Sequence, residues 1–190
     1  MRLELFAQDN SLPFDKRSGV KGVYQSIRPW LVVIFLVALA YRTLYFLEVH
    51  QHPLFVNPVI DAEQHHVWAQ RISAGSILGR GPEDVFKPWL YPLSLGGVYY
   101  LCGPNVTTIQ WLQFILGSVS AVLTGLLGAV LFGKRVGIIA GFVSALYAPF
   151  LFFEGQLLTP ALSIFFNLIL ALMLVKSSIA LASSLNISAN

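Results

Sequence analysis

The sequence predicts an all-α polytopic membrane protein, and three observations carry that prediction. The 190-residue chain is 56% hydrophobic, with a mean hydropathy of +0.69. Charged residues make up only 11% of it, against about 25% in a soluble domain. Apolar runs long enough to cross a bilayer recur along its length, about 20 residues being needed for each helical crossing. The lipid bilayer is therefore the first partner implied. The net charge of +3 does not point to nucleic acid in such a chain, and no nucleic-acid partner is expected. Basic residues act here as topology signals. The single cysteine, Cys102, excludes an internal disulfide framework and cysteine-based zinc motifs.

The elements follow in order. Residues 1–28 are polar, with no short apolar core followed by a cleavage site, and read as a cytoplasmic leader. The first span is "WLVVIFLVALAYRTLYFL", residues 30–47. Lys16, Arg17, Lys21 and Arg28 precede it, so the positive-inside rule puts the N-terminus in the cytoplasm. Residues 48–106 are then an outer loop with two interfacial helices. In the first, about residues 61–73, Ile60, Val67, Trp68 and Ile72 form an apolar side opposite Glu63, Gln64, His66 and Gln70. The second, "WLYPLSLGGVYYLC" at 89–102, is apolar but too short for a comfortable crossing, and it contains Pro92 and two glycines.

A second span is expected over 107–132, ending at the basic pair Lys134 and Arg135. Passing from outside at residue 48 to inside at residue 134 requires an odd number of crossings, so 89–102 does not cross. A third span, 136–153, returns to the outside at Glu154. A fourth, 157–175, comes back to Lys176. The uncharged, Ser-rich tail 177–190 is expected to be unstructured. Gly117, Ala121, Gly125 and Ala129, and likewise Gly137, Gly141 and Ala145, recur every fourth residue, a spacing that lets helices pack closely in lipid.

This topology places Asp61 and Glu154 on one outer face. Two carboxylates at a membrane surface can bind a divalent cation, or one can act as a base while the other orients a polar ligand. Each also has a plain alternative. "DAEQ" fits a capping box with Asp61 as N-cap, and Glu154 can simply mark a turn before Gly155. Arg42 costs about 2.5–3.5 kcal/mol at the centre of a span and less near an end. It either snorkels outward or faces the bundle and pairs with an acid or a phosphate. His50, His52, His65 and His66 share the outer loop, but their spacing is unspecific and no metal ligands are assigned. The sequons at Asn105 and Asn186 are read as coincidental.

The order of these pieces resembles a known family. A first span holding an arginine precedes "DAEQHHVWAQRISAG" and "PWLYPLSLGGVYYLCGP". After them come "LFGKRVGIIAG" and "ALYAPFLFFEGQLLTPAL". Together they resemble the N-terminal part of the GT-C superfamily of integral-membrane glycosyltransferases, in the bacterial mannosyltransferase and aminoarabinose-transferase-like branch. The resemblance spans about residues 29–175. It implies transfer of a sugar from a polyprenyl-phosphate donor to an acceptor on the extracytoplasmic face of the bacterial cytoplasmic membrane. It also implies Asp61 and Glu154 as catalytic candidates, with Asp61 the base or acceptor-orienting carboxylate and Glu154 a metal- or substrate-binding partner. Arg42, His65 and Tyr91 are the substrate-binding candidates, Arg42 facing the leaving phosphate and Tyr91 lying in the "WLYP" element. A divalent cation is optional. Two features depart from the family: His65 stands where an aromatic residue is common, and four spans replace about ten or more. The expectation is therefore a fragment, a truncated frame, or one half of a split enzyme needing a second chain. The alternatives are a non-enzymatic transporter or assembly subunit, or an inactive remnant.

Overall fold

The computed structural model describes residues 19–76 and 88–188, so residues 1–18 of the expected leader and 77–87 of the outer loop lie outside the described residues. Among the described residues there are eight helices and no strand.

Helix α1, Gly19–Val49, starts well before the expected first span. Pro29 lies inside it. A proline has no N–H for the carbonyl four residues back, here that of Gln25, which is exposed near the helix end where water or headgroups can satisfy it. Helix α5, Val106–Phe132, is capped by Asn105, whose side chain accepts from the Thr108 N–H at 3.3 Å. It is the central helix: 44% of its most apolar stretch is buried, against 22% in α1 and 6% in the last helix, α8 (Pro160–Ser188).

Gly133, with φ of +92°, then reverses the chain in one residue. Helix α6, Lys134–Leu146, returns along α5. The small-residue spacing does what it predicts: a Cβ placed on Gly137 would meet the Ala129 side chain and the Gly125 carbonyl at 2.5 Å. Close backbone contact of this kind is how helices associate in lipid. Ile27, Leu31, Ile34 and Ala38 of α1 complete this core with Ala121, Ala129 and Ala145.

The third expected span is not one helix. It is α6 followed by α7, Ala148–Gly155, with a 50° bend between them. Pro149 at the start of α7 cannot donate to the Ala145 carbonyl, so the ladder opens there. Helix α8, Pro160–Ser188, opens with proline, as helices often do, and continues to Ser188. This corrects the expected unstructured tail as far as that residue. No glycine or proline follows Pro160, and the Ala, Leu and Ser that dominate the run sustain a helix. By length and composition, three helices could cross a membrane, and four if α6 and α7 form one broken span.

The connection from α1 to α5 holds α2, Pro53–Val56, α3, Asp61–Ser73, and α4, Leu90–Cys102. The last two match the expected loop helices to within a residue. They pack on each other through Ala62, Ala69, Tyr91, Leu95 and Tyr99, and reach Ile109 and Leu157. At 13 residues, α4 is about 20 Å long, short of a hydrocarbon core of about 30 Å. Its other face exposes Leu90, Tyr100 and Leu101.

The antiparallel helices sort the charges. Arg28, Lys134, Arg135 and Lys176 lie toward the end where α1 starts and α5 stops. Glu48, Asp61, Glu63 and Glu154 lie toward the opposite end, together with Arg42 and Arg71.

Candidate functional site

The acidic end is organised around Arg42. Its Nε donates to Glu154 Oε2 at 2.7 Å, and one Nη donates to Oε1 at 2.8 Å, a bidentate fork. Both side chains are buried, with Arg42 1% and Glu154 5% exposed. The remaining Nη donates to the carbonyls of Ala38 and Ala145, each at 3.3 Å. Ala145 is the residue whose carbonyl Pro149 leaves without an N–H. Arg42 thus fills the gap at the bend and pairs with the acid beyond it. Of the two orientations open to Arg42 in the sequence, the inward one is realised. Gly117 of α5 lies directly under the Glu154 carboxylate, where any Cβ would overlap it.

Glutamines absent from the sequence-level candidates hold the helix ends beside this pair. Gln110 donates to the carbonyls of Phe55 and Gly155 at 2.8 and 3.0 Å. Gln113 donates to those of Glu154 and Gln156, both at 2.7 Å. Gln156 reaches the Leu54 carbonyl at 3.2 Å. These acceptors lie in or just after the last turns of α2 and α7, where a helix leaves carbonyls without intrahelical partners. A signal was available: two amides three residues apart share one face of an otherwise apolar helix. Tyr45, Phe46, Phe55, Trp111 and Phe114 enclose the same region in ring contacts that are edge-on, apart from the tilted Phe46–Trp111 pair.

Tyr91 joins α4 to this network. Its hydroxyl donates to Gln113 Oε1 at 2.6 Å. Burial, and the neighbouring Tyr99, push its ionisation well above the ordinary tyrosine range. The buried His65 ring stands edge-on to the Tyr91 ring, centroids 5.0 Å apart. His65, Tyr91, Gln113, Glu154 and Arg42 therefore form one continuous path across α3, α4, α5, α7 and α1.

Asp61 lies on the surface of α3. It is exposed, one turn before His65, and packing of α3 is chiefly against α4. It is not the N-cap, which corrects the capping-box expectation: Ile60 takes that position, without a side-chain cap bond. Ile60 has φ of +54° and is 77% exposed. For a β-branched residue this left-handed conformation is strained. Asp61 and Glu63 occupy the first turn, where the helix dipole favours negative side chains. The two candidate carboxylates are thus in different settings, Asp61 at the surface and Glu154 enclosed by its arginine.

The histidines make local contacts. His50 Nδ1 lies 2.9 Å from the Leu47 carbonyl, and His52 accepts from the Leu54 N–H. His66 Nδ1 is 2.7 Å from the Tyr99 hydroxyl, and its Nε2 is 3.0 Å from the Gln70 amide. Burial lowers the pKa of His66 and pushes that of Tyr99 up to about 12. No group of three or more His, Cys, Asp or Glu able to hold a metal ion occurs among the described residues.

Comparison with known proteins finds no matching family model, no matching curated protein and no matching solved structure.

Proposed function

We propose that this chain is a membrane module of a glycosyltransferase that takes a sugar from a polyprenyl-phosphate donor and transfers it to an acceptor at the extracytoplasmic surface. The observation that carries the reading is the setting of Asp61: an exposed carboxylate at the start of a docked helix, next to the strained Ile60. Backbone strain of this kind gathers at functional sites. Asp61 acts as the base or orienting acid for the acceptor hydroxyl. Glu154 supports the site through Arg42, whose fork it fills. Tyr91 and His65 set the position of α3 against the bundle. Orientation follows the charge sorting, with the basic end cytoplasmic by the positive-inside rule.

Membranes from cells making the chain, alone and with a candidate second chain, should move labelled sugar from a polyprenyl-phosphate donor. Asp61→Asn should reduce transfer by about 10²–10⁴-fold, the usual worth of general acid–base catalysis, and leave the unfolding midpoint unchanged. No transfer in either preparation, or full activity in the variant, removes the reading.

A transporter is the second reading, and the bend between α6 and α7 favours it, because broken helices and buried ion pairs mark transport sites. Solute uptake that depends on Arg42 and Glu154 but not on Asp61 would select it.

A further inference from the structure

A cavity lies toward the basic end, away from Asp61. It is a groove of about 410 Å³ between α1 and α5, open to the side. Leu31, Phe35, Val119 and Leu126 line its length, and Tyr24 and Arg28 stand at its mouth. From Tyr24 to Phe35 the helix rises about 16 Å, roughly half of a hydrocarbon core of about 30 Å. The groove is therefore one leaflet deep, apolar below and cationic at headgroup level.

Arg28 has no hydrogen-bond or ion-pair partner among the described residues. The described acids cannot supply one, since all four lie toward the opposite end of the bundle. Tyr24, one turn earlier and partly exposed, adds a hydroxyl donor beside it. A guanidinium beside a hydroxyl, above an apolar channel, matches a phosphate esterified to a hydrocarbon chain.

We propose that this groove is a seat for an anionic glycerophospholipid of the leaflet at the basic end. Its phosphate is held by Arg28 and Tyr24, and an acyl chain lies along Leu31, Phe35 and Leu126. A neutral or zwitterionic lipid fills the channel equally well but gains less from Arg28, so the site selects by headgroup charge.

Retention of lipid through detergent purification, read by native mass spectrometry after exchange in mixed phosphatidylglycerol and phosphatidylcholine micelles, tests this. The full chain should retain phosphatidylglycerol in preference to phosphatidylcholine. Arg28→Gln should lower that preference about fivefold, the effect of roughly 1 kcal/mol for one basic residue at a membrane surface. Val32 also lines the groove, so Val32→Trp, which fills it and leaves Arg28 in place, should lower retention of both lipids. Lys134→Gln, at the same end but outside the groove, should change neither. Equal retention of the two lipids by the unmodified chain overturns the proposal. So does an effect of Lys134→Gln as large as that of Arg28→Gln, which would mean a diffuse surface field. Displacement of the lipid by glycerophosphate alone also overturns it, because a free anion would then suffice.

Discussion

The Arg42 guanidinium meets both oxygens of the Glu154 carboxylate, at 2.7 and 2.8 Å, across 112 residues of chain. The same arginine also reaches the Ala145 carbonyl that Pro149 leaves open. One side chain thereby ties the first helix to both halves of a bent one. Breaking a buried pair from one side leaves the other charge uncompensated, whereas replacing both partners by apolar groups is often close to neutral. Arg42→Met or Glu154→Leu alone should destabilise the protein by about 3–5 kcal/mol. The double variant should recover most of that loss. Unfolding of the four proteins in detergent micelles measures the coupling. Additive losses would mean that the pair does not form.

Gly117 offers an independent check on where the carboxylate lies. Gly117→Ala should cost about 1–3 kcal/mol, the usual range for overpacking. In a Glu154→Ala background, which removes the group that the new Cβ would strike, the added cost should shrink to a few tenths. An unchanged cost in that background would place Glu154 elsewhere.

The Tyr91–Gln113 hydrogen bond predicts an asymmetry. Gln113→Leu strands the Tyr91 hydroxyl and removes the donor to two carbonyls, at about 1–3 kcal/mol for each group left unsatisfied. Tyr91→Phe leaves a single group without its donor, the Gln113 Oε1, while both bonds from Nε2 persist, so it should cost less, about 1–3 kcal/mol in all. Comparable losses in the two variants would contradict this ordering.

His66 predicts a pH dependence. With the Gln70 amide donating to Nε2, Nδ1 carries the proton and donates to the Tyr99 oxygen, so the ring is neutral. Burial lowers the folded-state pKa. Below the unfolded value of about 6.5, the unfolded chain therefore binds more protons than the folded one. Stability should fall as pH drops from about 7 through 6.5 toward the lowered value, and level off beneath it. His66→Phe should flatten the profile over that window. A profile unchanged by the substitution would assign the slope to other groups.

Orientation can be read directly. Single cysteines at Asp61→Cys and Lys134→Cys, each in a Cys102→Ser background, should respond oppositely to a membrane-impermeant thiol reagent applied to intact cells. The expected result is labelling at position 61 and protection at 134. The reverse pattern would invert the positive-inside assignment, and with it the proposed extracytoplasmic placement of Asp61.

Much of the architecture is legible in local chemistry. Apolar length alone marks α1, α5 and α8 as candidate spans. A 3.6-residue period marks α3, and the short length of α4 leaves it out of the candidate crossings. The glycine and alanine spacing on α5 and α6 marks their close contact. Each of these is a property of neighbouring residues, so a window of sequence contains it. The bend at Pro149 is also written locally, but an apolar run of the right length for a straight span masks it.

The site is different in kind. The linear chain says that an arginine sits in the first apolar run and that an acid follows the third. It could not determine that they meet, because an arginine in lipid is satisfied equally by snorkelling to the interface or by an inward partner. Only the packing of α1, α6 and α7 around α5 selects the inward choice, by bringing the Glu154 carboxylate and the open Ala145 carbonyl within reach of one guanidinium. Gln110 and Gln113 became interpretable in the same way, once the ends of α2 and α7 lay against them. Helices form from short-range hydrophobic and propensity patterns, but a buried polar group is settled by whichever partner the tertiary fold delivers to it.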